Sequence, residues 1–190
     1  FKLYIHIILL YLFSQNLYGV EDFSKNIVIH EKPTQIKELK FKDSDLNDVD
    51  LTNKKGNIMI LNFWATWCPP CVAELPALDN AAKQLGDDVT LLLISVDRGG
   101  RQKALPFLQD RGITRPLMGF DPKAALSREM GVRGLPTSFL LSANQSQSWT
   151  YVGPREWDLA PMIAEIRNLL RLAKSSPEPS RQNNQDHLLV

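Results

Sequence analysis

The chain predicts an α/β fold in which helices flank a central mixed sheet, and three observations carry that prediction. Two largely apolar runs, Asn57–Phe63 and Val89–Val96, are rich in leucine and β-branched residues and suit strands buried on both faces of a parallel sheet. Between them Val72, Leu75, Leu78, Ala82 and Leu85 recur at helical spacing until Gly86 stops the run. Further on, Thr137–Leu141 and Ser148–Val152 flank Ala143-Asn144-Gln145 and read as an antiparallel hairpin, which makes the sheet mixed.

The remaining elements follow in order. Leu3 to Phe13 is strongly apolar apart from His6, stands behind Lys2 and closes at Ser14-Gln15-Asn16. That length is short for a membrane-spanning helix and suits the core of a signal peptide, so residues 1–20 are assigned as a leader or, if uncleaved, a marginal membrane anchor. The chain opens on Phe1 rather than methionine, so residues are expected upstream. Glu21 to Asn57 is polar with scattered alternation, as in Ile36-Lys37-Glu38-Leu39-Lys40-Phe41, and predicts short strands or a hairpin ahead of the main sheet. Beyond the second apolar run, Gln102–Arg111 reads as a helix, Pro116–Phe120 as a short strand and Pro122–Met130 as a helix. Gly131-Val132-Arg133 leads to a turn at Pro136. Glu156–Ala173, started by Gly153-Pro154, is predicted as a closing amphipathic helix with Leu159, Ile163, Ile166, Leu169 and Leu170 on its apolar side. Ser175–Gln185 is rich in Pro, Ser, Asn and Gln, so 21–174 is assigned as the folded domain and 175–190 as a disordered tail.

Composition bounds the function. A chain of 190 residues with 44% hydrophobic content can bury one substantial core. The 22 basic residues are matched by 21 acidic ones, and no basic run is interleaved with aromatics, so nucleic-acid binding has no support. The region before the first long strand is too small for a dimerisation domain, so a monomer is expected.

The chemistry centres on Phe63-Trp64-Ala65-Thr66-Trp67-Cys68-Pro69-Pro70-Cys71, which holds both cysteines of the chain at a strand-to-helix junction. Two cysteines at this spacing read as a redox dithiol. On a helix beginning at Cys68 they lie at i and i+3, on one face and within the short Cα separation that a disulfide requires. The helix N-terminus favours a Cys68 thiolate by about 0.3–1 kcal/mol, less than one pKa unit. Pro69 and Pro70 are tolerated in the first turn because their missing N–H groups would have no intrahelical partner there. For the same reason they offer Cys68 no donor, which leaves the Cys71 amide as the nearest one. No lysine or histidine stands between the cysteines. The expected thiolate is less stabilised than that of a strong oxidant, which points to a reducing couple. Pro76, further along the helix, is expected to kink it.

Other uses of the pair fit the sequence less well. Zinc needs four ligands, and the three histidines, His6, His30 and His187, lie near the termini without ligand spacing. A copper site of two cysteines and one histidine would need His30, or a histidine from a partner, to swing in. A purely structural disulfide closing so short a loop would constrain the unfolded chain little. No metal or separate cofactor is expected beyond the Cys68–Cys71 disulfide itself.

The segment Asn62–Cys71 resembles the active-site signature of the thioredoxin superfamily, and more narrowly the TlpA/ResA-like thiol-disulfide oxidoreductases of bacterial envelopes. The resemblance extends over about Lys54 to Leu172 and is most specific at the cysteine motif and at Gly134-Leu135-Pro136-Thr137-Ser138-Phe139-Leu140. It implies a thioredoxin fold with an N-terminal hairpin, and an inserted helix and strand over Gln102–Phe120. It implies that Pro136 is cis and faces the disulfide, and that Leu135 offers its backbone to an incoming substrate strand. Thioredoxin's buried aspartate has Asn62 at the corresponding place, which cannot exchange protons with Cys71. Glu74, three residues after Cys71, matches a glutamate implicated in that role in ResA-like proteins; the plainer reading is a first-turn acid complementing the helix dipole.

The resemblance further implies a periplasmic or inner-membrane-anchored enzyme, a membrane electron donor, and cytochrome c or copper-site assembly proteins as clients. Cys68 would attack the substrate disulfide and Cys71 resolve the mixed disulfide, helped by Glu74. Trp67, Pro69 and Pro70 are expected to meet substrates, while Trp64 fills space beneath the helix. Three alternatives stand beside this reductase reading: an oxidase that donates its disulfide, a Cu(I)-binding chaperone, and a peroxiredoxin-like peroxidase. The last is disfavoured by Cys-Pro-Pro-Cys. Arg98-Gly99-Gly100-Arg101 follows a strand and could meet an anion, with a solvated loop as its default reading, and Asp97 at that strand end is open between a site role and a loop role.

Overall fold

The computed structural model describes residues 27–29, 40–45, 47–50, 58–141 and 148–175. The expected leader, His30 and all but Ser175 of the expected tail lie outside the described residues. Three short strands come first: β1 (Ile27–Ile29), β2 (Lys40–Lys42) and β3 (Asp48–Asp50). The core follows as β4 (Ile58–Trp64), α1 (Pro69–Leu85), β5 (Val89–Ser95), α2 (Gly100–Gln109), β6 (Leu117–Phe120), α3 (Ala125–Glu129), β7 (Thr137–Leu141), β8 (Ser148–Val152) and α4 (Ala160–Ser175). Among the described residues one sheet runs β1-β8-β7-β4-β5-β6-β2-β3. Strands β4, β5 and β6 are parallel; β7 joins β4 antiparallel, β8 joins β7, and β2 joins β6. The mixed sheet and its N-terminal hairpin are therefore as the sequence predicts, and the fold is thioredoxin-like.

Alternation along the central strands sends side chains to two separate cores. Ile58, Ile60, Trp64, Leu91 and Leu93 pack against Leu75, Leu78 and Leu85 of α1, Ala104 and Leu108 of α2, and Ile163 and Ile166 of α4. Met59, Leu61, Phe63, Leu92 and Ile94 face the other way, towards Phe41 and Leu126. Asn62 has the parity of Ile60 and Trp64, which places a fully buried amide on the α1 side of the sheet. An amide does not belong in an apolar layer unless something there answers it.

Several boundaries differ from expectation for local reasons. The closing helix starts at Ala160 rather than Glu156, because Arg155 and Trp157 turn inward instead of entering a helix; Leu159 is left 39% exposed. The Pro122–Met130 helix contracts to α3, where the Asp121 carboxylate accepts from the backbone N–H groups of Ala125 and Ser127. The helix after β5 begins at Gly100, two residues early, with Gly100 itself at φ 52°. Pro76 lies within α1, on its exposed side, and the helix continues through it to Leu85.

Candidate active site

Strand β4 ends at Trp64 and the chain turns through Ala65-Thr66-Trp67 into α1. Cys68 is the N-cap of that helix, with Pro69 and Pro70 in its first two positions. The backbone N–H of Cys71 donates to Cys68 Sγ at 3.3 Å, the one donor that the prolines leave available in this turn. Cys68 and Cys71 form a disulfide with an S–S distance of 2.03 Å and Cα atoms 5.3 Å apart. Cys71 is fully buried, and Cys68 retains 5% of its surface. The pair thus has an outer and an inner cysteine, an arrangement that suits an attacking and a resolving thiol.

The turn before Cys68 is pinned from the neighbouring strand. Asp97, just beyond β5 and fully buried, accepts from the Thr66 backbone N–H (2.9 Å), from Thr66 Oγ1 (2.7 Å) and from Ser95 Oγ (2.9 Å). Lys103 Nζ lies 3.5 Å from the same carboxylate. Asp97 is therefore not part of a solvated loop; no local pattern in the sequence foretells this, because the contact spans 31 residues.

Glu74 sits in the second turn of α1, facing the sheet, and is 4% exposed. That position removes the first-turn, dipole-complementing reading. Asn62 Nδ2 donates to Glu74 Oε1 at 2.7 Å and to Ser138 Oγ at 2.9 Å. The Arg155 backbone N–H donates to Glu74 Oε2 at 2.9 Å, and Trp157 Nε1 to the same oxygen at 3.1 Å. Burial pushes the Glu74 carboxyl above its ordinary value of 4.5, while these donors and the Arg155 charge pull it back down. The Arg155 guanidinium lies 4.4 Å from the centre of the Tyr151 ring, and Tyr151 packs edge-on against Trp157. Among the described residues the Asn62 Oδ1 atom has no hydrogen-bond partner, and neither has Trp64 Nε1.

The second motif comes to the same end of the sheet. Register pairs Thr137 with Phe63 and Ser138 with Asn62, so Pro136 lies beside the end of β4 from which the cysteine turn departs. The Leu135–Pro136 peptide is cis. Pro136 is buried and its carbonyl accepts from Gly153 N–H at 2.9 Å, while Leu135 is half-buried. Trp67 is 62% exposed, next to exposed Pro69 and Pro70. Trp64 is fully buried and packs against Phe107, as a space-filling residue should. Among the described residues no group of three His, Cys, Asp or Glu side chains is placed to hold a metal ion.

The redoxin family pattern matches residues 31–170, most of the chain and all of this site. The chain belongs to the redoxin family. Within it, the chain is 37% identical over 117 residues to the thiol:disulfide interchange protein DsbE of Vibrio cholerae, covering 59% of this chain and 61% of that one. It is 32% identical over 120 residues to sporulation thiol-disulfide oxidoreductase A of Bacillus subtilis, covering 58% and 71% respectively. The chain thus spans less than two thirds of the length of the Vibrio relative. Among solved structures, a putative thiol:disulfide interchange protein DsbE from Chlorobium tepidum superposes with a TM-score of 0.65 at 27% identity, covering 74% of this chain and 98% of that one. These redoxin relatives bear out the resemblance to thiol-disulfide oxidoreductases of the thioredoxin superfamily.

Asn62, Ser138, Arg155 and Trp157 were not foreseen as companions of Glu74. Asn62 was visible as a polar residue inside an apolar strand. The other three come into reach only through sheet register and the return of the chain after β8.

Proposed function

We propose that this chain reduces disulfides of exported proteins by thiol-disulfide exchange through Cys68 and Cys71. One observation carries the reading: a disulfide-forming cysteine pair at a helix N-terminus whose first residue keeps a small exposed surface while the second is fully buried. The Cys68 thiolate attacks a substrate disulfide, forming a Cys68–substrate bond and releasing one substrate thiolate. Cys71 then gives up its proton and attacks Cys68 Sγ, closing the Cys68–Cys71 disulfide and expelling the second substrate thiolate. The substrate gains two electrons and two protons, and the enzyme dithiol loses them. Glu74, on the same helix face one turn beyond Cys71, takes the resolving proton, a role suited to a buried carboxyl whose pKa is raised.

Substrate contact falls to Trp67, Pro69 and Pro70 on the exposed rim, with Leu135 beside Pro136 offering backbone to an extended segment. The reducing direction rests on Cys68 having a single backbone donor. The apolar leader supports export to a bacterial envelope, where a membrane electron donor would restore the dithiol and assembly proteins for cytochrome c or copper sites would be clients. No helix among the described residues is long and apolar enough to cross a membrane.

The test uses the reduced protein and a peptide carrying one disulfide. Wild type should release the peptide dithiol and end oxidised, and Cys71→Ser should stall as a one-to-one mixed disulfide on Cys68. Oxidation of a reduced peptide by the disulfide form, with no reduction in the other direction, would reverse the assignment. Stoichiometric Cu(I) binding with no exchange would replace it.

A further inference from the structure

Among the described residues, every polar neighbour within hydrogen-bond distance of the Glu74 carboxylate is a donor: the Asn62 amide, the Arg155 backbone N–H and the Trp157 indole. That shell suits an ionised carboxylate and leaves a protonated one with nowhere to direct its hydrogen. One acceptor lies within reach without a change of shape. Asn62 is fully buried, its Nδ2 serves both Glu74 and Ser138, and its Oδ1 has no partner. The two ends of an amide are nearly isosteric, so a half-turn exchanges donor for acceptor with almost no change in packing. Ser138 permits this turn, because a hydroxyl that accepts from Nδ2 can rotate and donate to Oδ1 instead.

We propose that Asn62 is a positioning residue whose side-chain amide turns over when Glu74 takes a proton. In the ionised state Nδ2 donates to Glu74 Oε1 and to Ser138 Oγ. In the protonated state Oδ1 accepts from the Glu74 carboxyl O–H and from the Ser138 hydroxyl. No bond is made or broken apart from the transfer of one proton to Glu74. The amide thereby keeps both protonation states of Glu74 hydrogen-bonded, and a carboxyl that must gain and lose a proton each cycle needs both. A fixed donor would hold it ionised, and an apolar residue would serve neither state. This inference deepens the reading of Glu74 as proton acceptor and rests on it for its purpose, but the amide's motion can be observed independently of activity.

The experiment follows the Asn62 side-chain amide protons by NMR in the full oxidised protein while Glu74 titrates. The expected result is a loss of their contacts to Glu74 and Ser138 protons, with the same midpoint as the Glu74 carboxyl carbon shift. Glu74→Gln provides a second arm, because glutamine presents an amide N–H₂ where Oε1 stood and can meet Asn62 only through Oδ1. There the Asn62 amide protons should be turned away at every pH. Contacts that persist on both sides of the Glu74 titration, or that remain in Glu74→Gln, overturn the proposal, as does a Glu74 carboxyl that never titrates in the folded protein. If the amide turns but Glu74→Gln exchanges disulfides at the wild-type rate at all pH values, the switch stands and Glu74 is not the base.

Discussion

Three donors converge on Glu74 from two separate segments, strand β4 and the turn between β8 and α4, and this makes its replacement a graded test of the site. Alanine leaves the Asn62 amide, the Arg155 N–H and the Trp157 indole N–H facing a carboxylate that is gone. Each buried donor left unsatisfied costs about 1–3 kcal/mol, so Glu74→Ala should lose at least about 3 kcal/mol of stability. Glutamine retains one oxygen for Arg155 and Trp157 and turns its N–H₂ to Asn62, whose Oδ1 is unpaired and able to accept. Its cost should stay below about 1 kcal/mol, because only the charge-assisted part of the hydrogen bonds is lost. The pH dependence separates the two further. Burial raises Glu74 above its ordinary 4.5, so the folded state holds its proton more tightly than the unfolded one. Wild-type stability is therefore fullest below that ordinary value and falls as pH climbs through the raised folded pKa, with a slope of at most about 1.4 kcal/mol per pH unit. Glutamine has no such loss, so the gap between wild type and Glu74→Gln should narrow as pH rises. Urea denaturation of the oxidised proteins across a pH series measures all of this. A Glu74→Gln cost equal to that of alanine, or a gap that widens with pH, would refute the reasoning.

Asp97→Ala should destabilise the protein by about 2–3 kcal/mol, since it frees a half-buried Thr66 N–H and two hydroxyls, and amide exchange at Thr66 should accelerate. Gly119→Ala should cost about 1–3 kcal/mol, because a Cβ there would stand 2.7 Å from Cδ2 of the Phe41 ring; denaturant melts and loss of protection in the β2–β3 hairpin would show it. Trp67→Ala should change stability by less than about 0.5 kcal/mol, given its exposure, while slowing exchange with a protein disulfide more than with a small-molecule disulfide.

What the sequence made legible is what depends on neighbours along the chain. The long strands β4 and β5, the helix between them and the hairpin of β7 and β8 follow from period and punctuation. The Cys68 cap and its lone Cys71 donor follow from two prolines. The environment of Glu74 was hidden, because it is built from residues 12, 81 and 83 positions away. The closing helix starts later than its local pattern predicts for the same reason: Glu156 and Trp157 fit a helical pattern locally, and the hydrogen bonds of Arg155 and Trp157 to Glu74 outweigh it. Asp97 is ambiguous in the sequence beside Arg98-Gly99-Gly100, and only the distant partner Thr66 settles its carboxylate within the fold.

The reduction potential of the Cys68–Cys71 pair tests the central claim most directly, read by tryptophan fluorescence in defined dithiol buffers with Trp67 and Trp64 flanking the pair. A pair with a backbone donor to Cys68 from Cys71 and only prolines between the cysteines should equilibrate near the thioredoxin range, about −270 mV. A value near that of a strong oxidant, about −120 mV, would contradict the account and assign the chain to disulfide formation instead.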